Sequence, residues 1–301
     1  MKIQYIDRRS GDIKEEKVPG RVFLQWIYGS RLGKLTLWTL IKRKWFSAFY
    51  GKVQDLSLSK GKIQEFVTNQ GIDMTEAERE NPEDYHSFND FFSRKLKVGA
   101  RPIASEKEIL ASPADGKLLA YENIDKEQVV QIKGLNYSLG ELIGDKELAE
   151  DYQGGSKIII RLAPADYHRF HFPDSGEVGS IKKIKGSYNS VNPMALETII
   201  RLYVQNKRDI TDFMSHNFGE ILYVEVGATC VGTIVQSVKE HQRVDKGEEK
   251  GYFAFGGSTV ILFFKKGKVK IHGDLLENTK KGLETMVYMG EGIGKKAERP
   301  L

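Results

Sequence analysis

From Arg101 onward the chain is assembled from short apolar runs, among them "KIIIRLA", "ILYVEVGATCVGTIVQSV" and "STVILFF", punctuated by Gly, Pro and Asp. Such runs, rich in β-branched and aromatic residues and bounded by turn formers, predict strands. A largely antiparallel β domain with few helices follows, barrel- or sandwich-like. "MALETIIRLYVQNKRDITDFM" is the clearest helical candidate inside it. The preceding region reads differently. Residues 21–95 carry helix-like periodicity in "TLWTLIKRKWF" and "EAERENPEDYHSFNDFFSRKL", with Thr75 placed to cap a helix whose first turn holds Glu76 and Glu78. Residues 1–20 are polar and fit a short strand or an arm. The expected class is α+β, with a helical N-terminal region over 1–95 and a β-rich domain over 96–301.

A chain of 301 residues, 40% hydrophobic and 29% charged, can bury a real core and is not disordered. Its charge of +5 is small, but it is unevenly spread. Between Arg21 and Lys52 no acidic residue occurs, and all three tryptophans, Trp26, Trp38 and Trp45, lie in this stretch. On a helix Trp38, Ile41 and Trp45 share a face bordered by Lys42 and Lys44. An apolar face with lysines at its margin suits an interfacial helix in the head-group layer of an anionic membrane. Packing on the protein's own domain is the plainer use of the same face. The aliphatic content argues against nucleic acid, which is not an expected partner. The lone Cys230 sits in an apolar run, forms no intramolecular disulfide, and suits a reducing compartment. The first residues hold no signal-peptide core, and no run reaches the ~18 apolar residues of a membrane span.

"FAFGGSTVILFF", residues 253–264, reads as a buried strand interrupted by Gly256, Gly257 and Ser258. Paired glycines weaken a strand, so they mark either a bulge or a place where the backbone itself reacts. "RLAPADYHRFHFP" contributes His168 and His171, a Pro-flanked pair among aromatics that fits acid–base work better than metal binding, since no ligand cluster stands nearby. "ASPADGKLLA" places Asp115 before Gly116, which in isolation is a turn signal suited to a hairpin. Together the three segments supply an Asp, a His and a Ser, the groups that activate a hydroxyl. Ser258 lacks the G-x-S-x-G elbow of many serine hydrolases, and a buried strand admits an external acyl group poorly. Attack on its own preceding carbonyl, that of Gly257, is the alternative. It would shift the acyl group from N to O, and elimination of the ester would leave dehydroalanine and then a pyruvoyl group.

"FFSRKLKVGARPI", "SPADGK", "DYHRFHFP", "VGATCVGTI" and "VDKGEEKGYFAFGGS", the last leading into "GGST" before an apolar run, occur over residues 85–290 in the order of the phosphatidylserine decarboxylase proenzymes and resemble them. The resemblance implies cleavage between Gly257 and Ser258, a charge relay of Asp115, His171 and Ser258, and a pyruvoyl group at position 258 that forms a Schiff base with the substrate amine. It implies a role for His168 in the decarboxylation step, no metal, and no diffusible cofactor. Its further implications are phosphatidylserine as substrate, two chains from one proenzyme, a homodimer, and a peripheral place on the cytoplasmic face of the cell membrane. Two features depart from the common pattern: Gly256 replaces a branched aliphatic residue, and Asn217-Phe218-Gly219 stands where an Asn-Glu-Arg is frequent. Two other classes compete. A serine hydrolase using Ser258, His171 and Asp115 would remain an intact chain, and a non-catalytic membrane-surface module would release no CO₂.

Overall fold

The computed structural model describes residues 3–20, 26, 29–30, 32–33, 51–127, 129–132, 135–187, 189–191, 193–198, 201–228, 234–254 and 258–298. A ten-stranded sheet forms its centre. In spatial order the strands are Arg243–Val244, Gly176–Ile184, Arg208–Ser215, Gly219–Gly227, Ser258–Phe264, Ser156–Leu162, Gly116–Glu122, Glu284–Val287, Gln4–Asp7 and Ile13–Glu15. Gln4–Asp7 runs parallel to Glu284–Val287, while every other neighbouring pair is antiparallel. The sheet is open at both ends, so the architecture is a layered α+β sandwich rather than a closed barrel.

Side-chain alternation divides the core in two. Along Ser258–Phe264, Val260, Leu262 and Phe264 join one apolar cluster, and Ile261 and Phe263 join the other. Strands buried on both faces need no polar alternation, which is why this run is apolar throughout. Small sheets cover the first face, contributing Phe170, Ile234 and Phe253 among others. Short helices cover the second: Leu139–Ile143, Lys146–Glu150 and Leu202–Gln205 supply Leu142, Ala149 and Leu202. Each large side chain so buried stabilises the fold by about 1.5–3 kcal/mol.

Three expectations change. The stretch 253–264 is two elements: Glu249–Phe253 belongs to a three-stranded sheet, and Ser258 opens a strand of the central sheet. Gly256 and Gly257 fall between them, outside the described residues. Among the described residues of the helical candidate at 194–214, helices cover Pro193–Thr198 and Leu202–Gln205, and Arg208–Ser215 is a strand. That strand is paired along both edges, and two ladders of hydrogen bonds outweigh a modest helical preference. The periodicity over 76–96 is broken into short turns. Asn81 precedes Pro82 in extended backbone and caps Glu83 N at 3.0 Å, and Ser87 opens the Phe88–Phe92 helix by capping Asp90 N. Asp73, rather than Thr75, is the cap upstream, accepting from Thr75 N at 2.9 Å.

The polar N-terminus is a strand pair added to the central sheet. Residues Ile63, Tyr85, Phe88, Phe91 and Phe92 make a third, small apolar cluster. Trp38, Ile41, Lys42, Lys44, Trp45 and Cys230 lie outside the described residues. Among the described residues no helix is long and apolar enough to cross a membrane.

Candidate active site

Ser258 begins its strand between Gly227 and Leu162 of the neighbouring strands and is fully buried. After Leu162 the chain leaves the sheet, turns through Ala163–Tyr167, and delivers His168 back to the serine. Asp166 secures the turn. Its carboxylate accepts from Ala163 N at 2.7 Å and from Lys117 Nζ at 2.8 and 2.9 Å. His168 Nδ1 lies 3.3 Å from Ser258 Oγ. Its Nε2 lies 3.0 Å from the Ala163 carbonyl, which can only accept, so Nε2 carries the hydrogen and Nδ1 keeps its lone pair for the serine hydroxyl. Phe92 stacks on the imidazole with ring centroids 3.9 Å apart, so the third cluster roofs the site. Burial, assisted by the Arg94 charge, pushes the His168 pKa down to about 3. The imidazole is therefore neutral.

His171 follows on the short strand Arg169–His171 and faces other partners. Its Nδ1 is 2.9 Å from the Gly247 carbonyl and its Nε2 3.2 Å from the Tyr167 hydroxyl. The same tautomer logic places the hydrogen on Nδ1 and makes Nε2 the acceptor. Burial lowers its pKa, opposed by the hydrogen bond to Gly247. Gly247 has φ +82°, and a Cβ there would stand 2.1 Å from Ile103, so no other residue presents this carbonyl without strain.

Asp115 is buried, yet it faces neither histidine. Arg101 binds its carboxylate from Nε at 3.0 and 3.1 Å and from Nη2 at 2.8 Å, and Met289 N donates to it at 2.7 Å. Burial opposes the charge on Arg101, but its bonds to Asp115 outweigh that and hold the guanidinium pKa above its usual value. The Asp-Gly pair is no hairpin. Gly116 starts a central strand, and a Cβ on it would meet the Arg161 carbonyl at 2.7 Å. The structure thus brings Ser258 and His168 together, and leaves Asp115 and His171 each bound elsewhere. The reason is competition: a forked guanidinium satisfies a buried carboxylate better than one imidazole N–H does.

A cavity of about 690 Å³ adjoins this assembly, lined in part by Arg94, Arg101, Asp115, Lys117, Asp166 and Tyr167. Arg94 and Arg101 were visible only as letters within "FFSRKLKVGARPI"; nothing in their spacing distinguished them from surface cations. Among the described residues no group of three or more His, Cys, Asp or Glu is arranged to hold a metal ion.

A family model described as phosphatidylserine decarboxylase matches residues 88–295, which spans the serine, both histidines, Asp115 and both arginines. The chain belongs to the phosphatidylserine decarboxylase family. A phosphatidylserine decarboxylase proenzyme of Clostridium perfringens (strain SM101 / Type A) is 53% identical over 294 residues, covering 98% of this chain and 100% of that protein. One of Clostridium botulinum (strain 657 / Type Ba4) is 49% identical over 294 residues, covering 98% and 99%. Alignments covering 98% of this chain run through most of the residues ahead of the family match as well.

Proposed function

We propose that the chain cleaves itself between Gly257 and Ser258 and then decarboxylates phosphatidylserine to phosphatidylethanolamine and CO₂. The observation that carries this reading is a fully buried serine hydroxyl on a neutral imidazole, at the first residue of a strand, in a chain of this family. A nucleophile so enclosed is badly placed for an external acyl substrate and well placed for the peptide bond before it. This disfavours the serine hydrolase. In the cleavage step Ser258 Oγ attacks the Gly257 carbonyl carbon, its proton passes to a base, and the C–N bond breaks as the ester forms. Loss of the Ser258 α-proton expels the Gly257 carboxylate and leaves dehydroalanine; tautomerisation and water then release ammonia.

Position 258 fits the pyruvoyl group this yields, being dry and touched by an imidazole nitrogen. That group supplies an electron sink for an amine-bearing carboxylate. His168, the imidazole in contact with position 258, is assigned a shuttle: its Nδ1 lone pair takes a proton from the substrate ammonium and returns it to the substrate carbon after CO₂ departs. With a pKa of about 3 it is a weak base for the cleavage step. We assign that step to His171 oriented by Asp115, as the resemblance implies. This requires His171 to exchange its Gly247 and Tyr167 contacts for Ser258, and Asp115 to release Arg101, and catalytic hydrogen bonds often assemble only on the reaction path. The segment 21–52, with its tryptophans and unopposed cations, is assigned to a peripheral hold on anionic membrane at the cytoplasmic face. A homodimer completes the reading.

The test is intact-mass analysis of purified protein beside a CO₂ assay on phosphatidylserine. Two chains meeting at 257/258, the smaller blocked to Edman degradation, with CO₂ release, support the reading. An active but uncut chain overturns it.

A further inference from the structure

The charged groups around the cavity are nearly all paired. Lys117 is on Asp166, Arg101 on Asp115 and Glu76, and Arg161 beneath them on Glu16 and Glu284. Among the described cations lining the cavity, Arg94 and the exposed Lys17 have no carboxylate partner, and of the two only Arg94 is buried. It is 5% exposed, lines the cavity, and makes one hydrogen bond, from Nη2 to the Ala165 carbonyl at 3.2 Å. Its guanidinium lies 5.0 Å from the Phe91 ring centroid, and Nη1 is buried with no partner. Removing a cation from water costs several kcal/mol unless an anion and hydrogen bonds replace the solvent. The nearby carboxylates, Asp115 and Asp166, already serve Arg101 and Lys117. Half of a rigid fork is therefore left for an anion that the chain itself does not supply.

We infer that Arg94 is the anchor for the phosphodiester of the substrate headgroup, gripping a non-bridging oxygen through Nη1. This rests on the decarboxylase reading of the site. The substrate offers two anions, and chemistry selects between them. A cation on the carboxylate would stabilise the ground state and oppose loss of CO₂, whereas a cation on the phosphate leaves the reacting bond free. Placement agrees. Residues 163–168 present Ala165 O to Arg94 and His168 to Ser258, so one six-residue segment separates the two ends. In phosphatidylserine one carbon and one oxygen separate the amine-bearing carbon from phosphorus. The guanidinium fork suits a tetrahedral oxyanion. A phosphate held there is gripped alike before and during the loss of CO₂, a uniform binding contribution that appears in KM rather than kcat.

The experiment compares processed enzyme, Arg94→Gln and Arg94→Lys on two soluble substrates: dihexanoyl phosphatidylserine, and an O-alkyl serine ether that lacks phosphate. Arg94→Gln should raise KM for the phospholipid roughly tenfold to a hundredfold with kcat little changed, the size expected for a lost charge-assisted hydrogen bond. Arg94→Lys, keeping charge without the fork, should fall between. KM for the ether should be alike in all three. Inorganic phosphate should compete with the phospholipid in the parent and lose most of that effect in Arg94→Gln. Equal losses on both substrates, or none on either, overturn the anchor, as does phosphate inhibition that Arg94→Gln leaves intact. Calorimetric titration of inorganic phosphate into uncleaved Ser258→Ala protein, with and without Arg94→Gln, reads the anchor without turnover. A parent that binds phosphate through Arg94 yet releases no CO₂ from phosphatidylserine would refute the decarboxylase reading alone.

Discussion

Two walls of one site solve the problem of burying polar groups in opposite ways. The Ser258–His168 wall is neutral: a hydroxyl, an uncharged imidazole, a carbonyl and a stacked phenyl ring. The Asp115–Arg101 wall is ionic, with carboxylates and guanidinium forks closing on each other. Neutral partners cost little to desolvate and can exchange protons, which bond-making requires. Ion pairs resist displacement, because removing one partner strands a buried charge. Under the proposed reading, proton exchange falls to the neutral wall, and Asp115 can join it only by giving up its ion pair with Arg101.

Ser258→Ala breaks the comparison outright. It should abolish cleavage and CO₂ release while leaving the ion pairs untouched, giving a single uncut chain by mass with an unchanged melting midpoint. Next come the histidines. His168→Ala should lower CO₂ release by about 10²–10⁴, the usual range for a lost acid–base group, yet still allow processing. His171→Ala should arrest processing. If the His168 variant alone fails to cut, the hydrogen bond seen on Ser258 is the one used for cleavage, and the two assignments exchange.

The ionic wall should respond in stability. Arg101→Met leaves Asp115 buried and unpaired, so unfolding free energy should drop by about 3–5 kcal/mol in a denaturant titration. Loss below about 1 kcal/mol would mean that Asp115 is readily protonated and the wall is not held by charge. Gly247→Ala should cost less, about 1–3 kcal/mol, through its left-handed backbone and the clash with Ile103.

The last effect is read as a slope against pH. His168 is held near 3 in the fold and titrates near 6.5 when unfolded, so between these values the unfolded chain binds the extra proton. Its contribution to stability is complete above about 6.5 and is lost as pH falls toward 3, by up to about 1.4 kcal/mol per pH unit. In denaturant titrations from pH 7 to 4, the stability of the parent should fall more steeply with falling pH than that of His168→Gln, which lacks this group. Parallel curves would show that the imidazole is already solvated.

Sequence singled out candidate groups more readily than their partners. Ser258, His168, His171 and Asp115 were each legible as candidates because hydroxyl, imidazole and carboxylate occurred in short, unusual contexts. The apolar runs were legible as strands because a sheet covered on both faces tolerates no polar alternation, as Val260 to Phe264 show. Tertiary structure decided the rest. Arg208–Ser215 became a strand because it had two edges to pair with, a fact absent from its own letters. That the strand ending at Phe253 and the strand Ser258–Phe264 belong to different sheets is likewise absent from the letters. Which histidine met the serine was set by the Asp166–Lys117 anchor on the intervening turn, and which base met Asp115 by the reach of Arg101. Residue type limits what a group can do, and local pattern limits the backbone it sits on. Partners drawn from 14 to 174 positions away decide what Asp115 actually does, because a buried charge takes the strongest counter-group the fold brings to it.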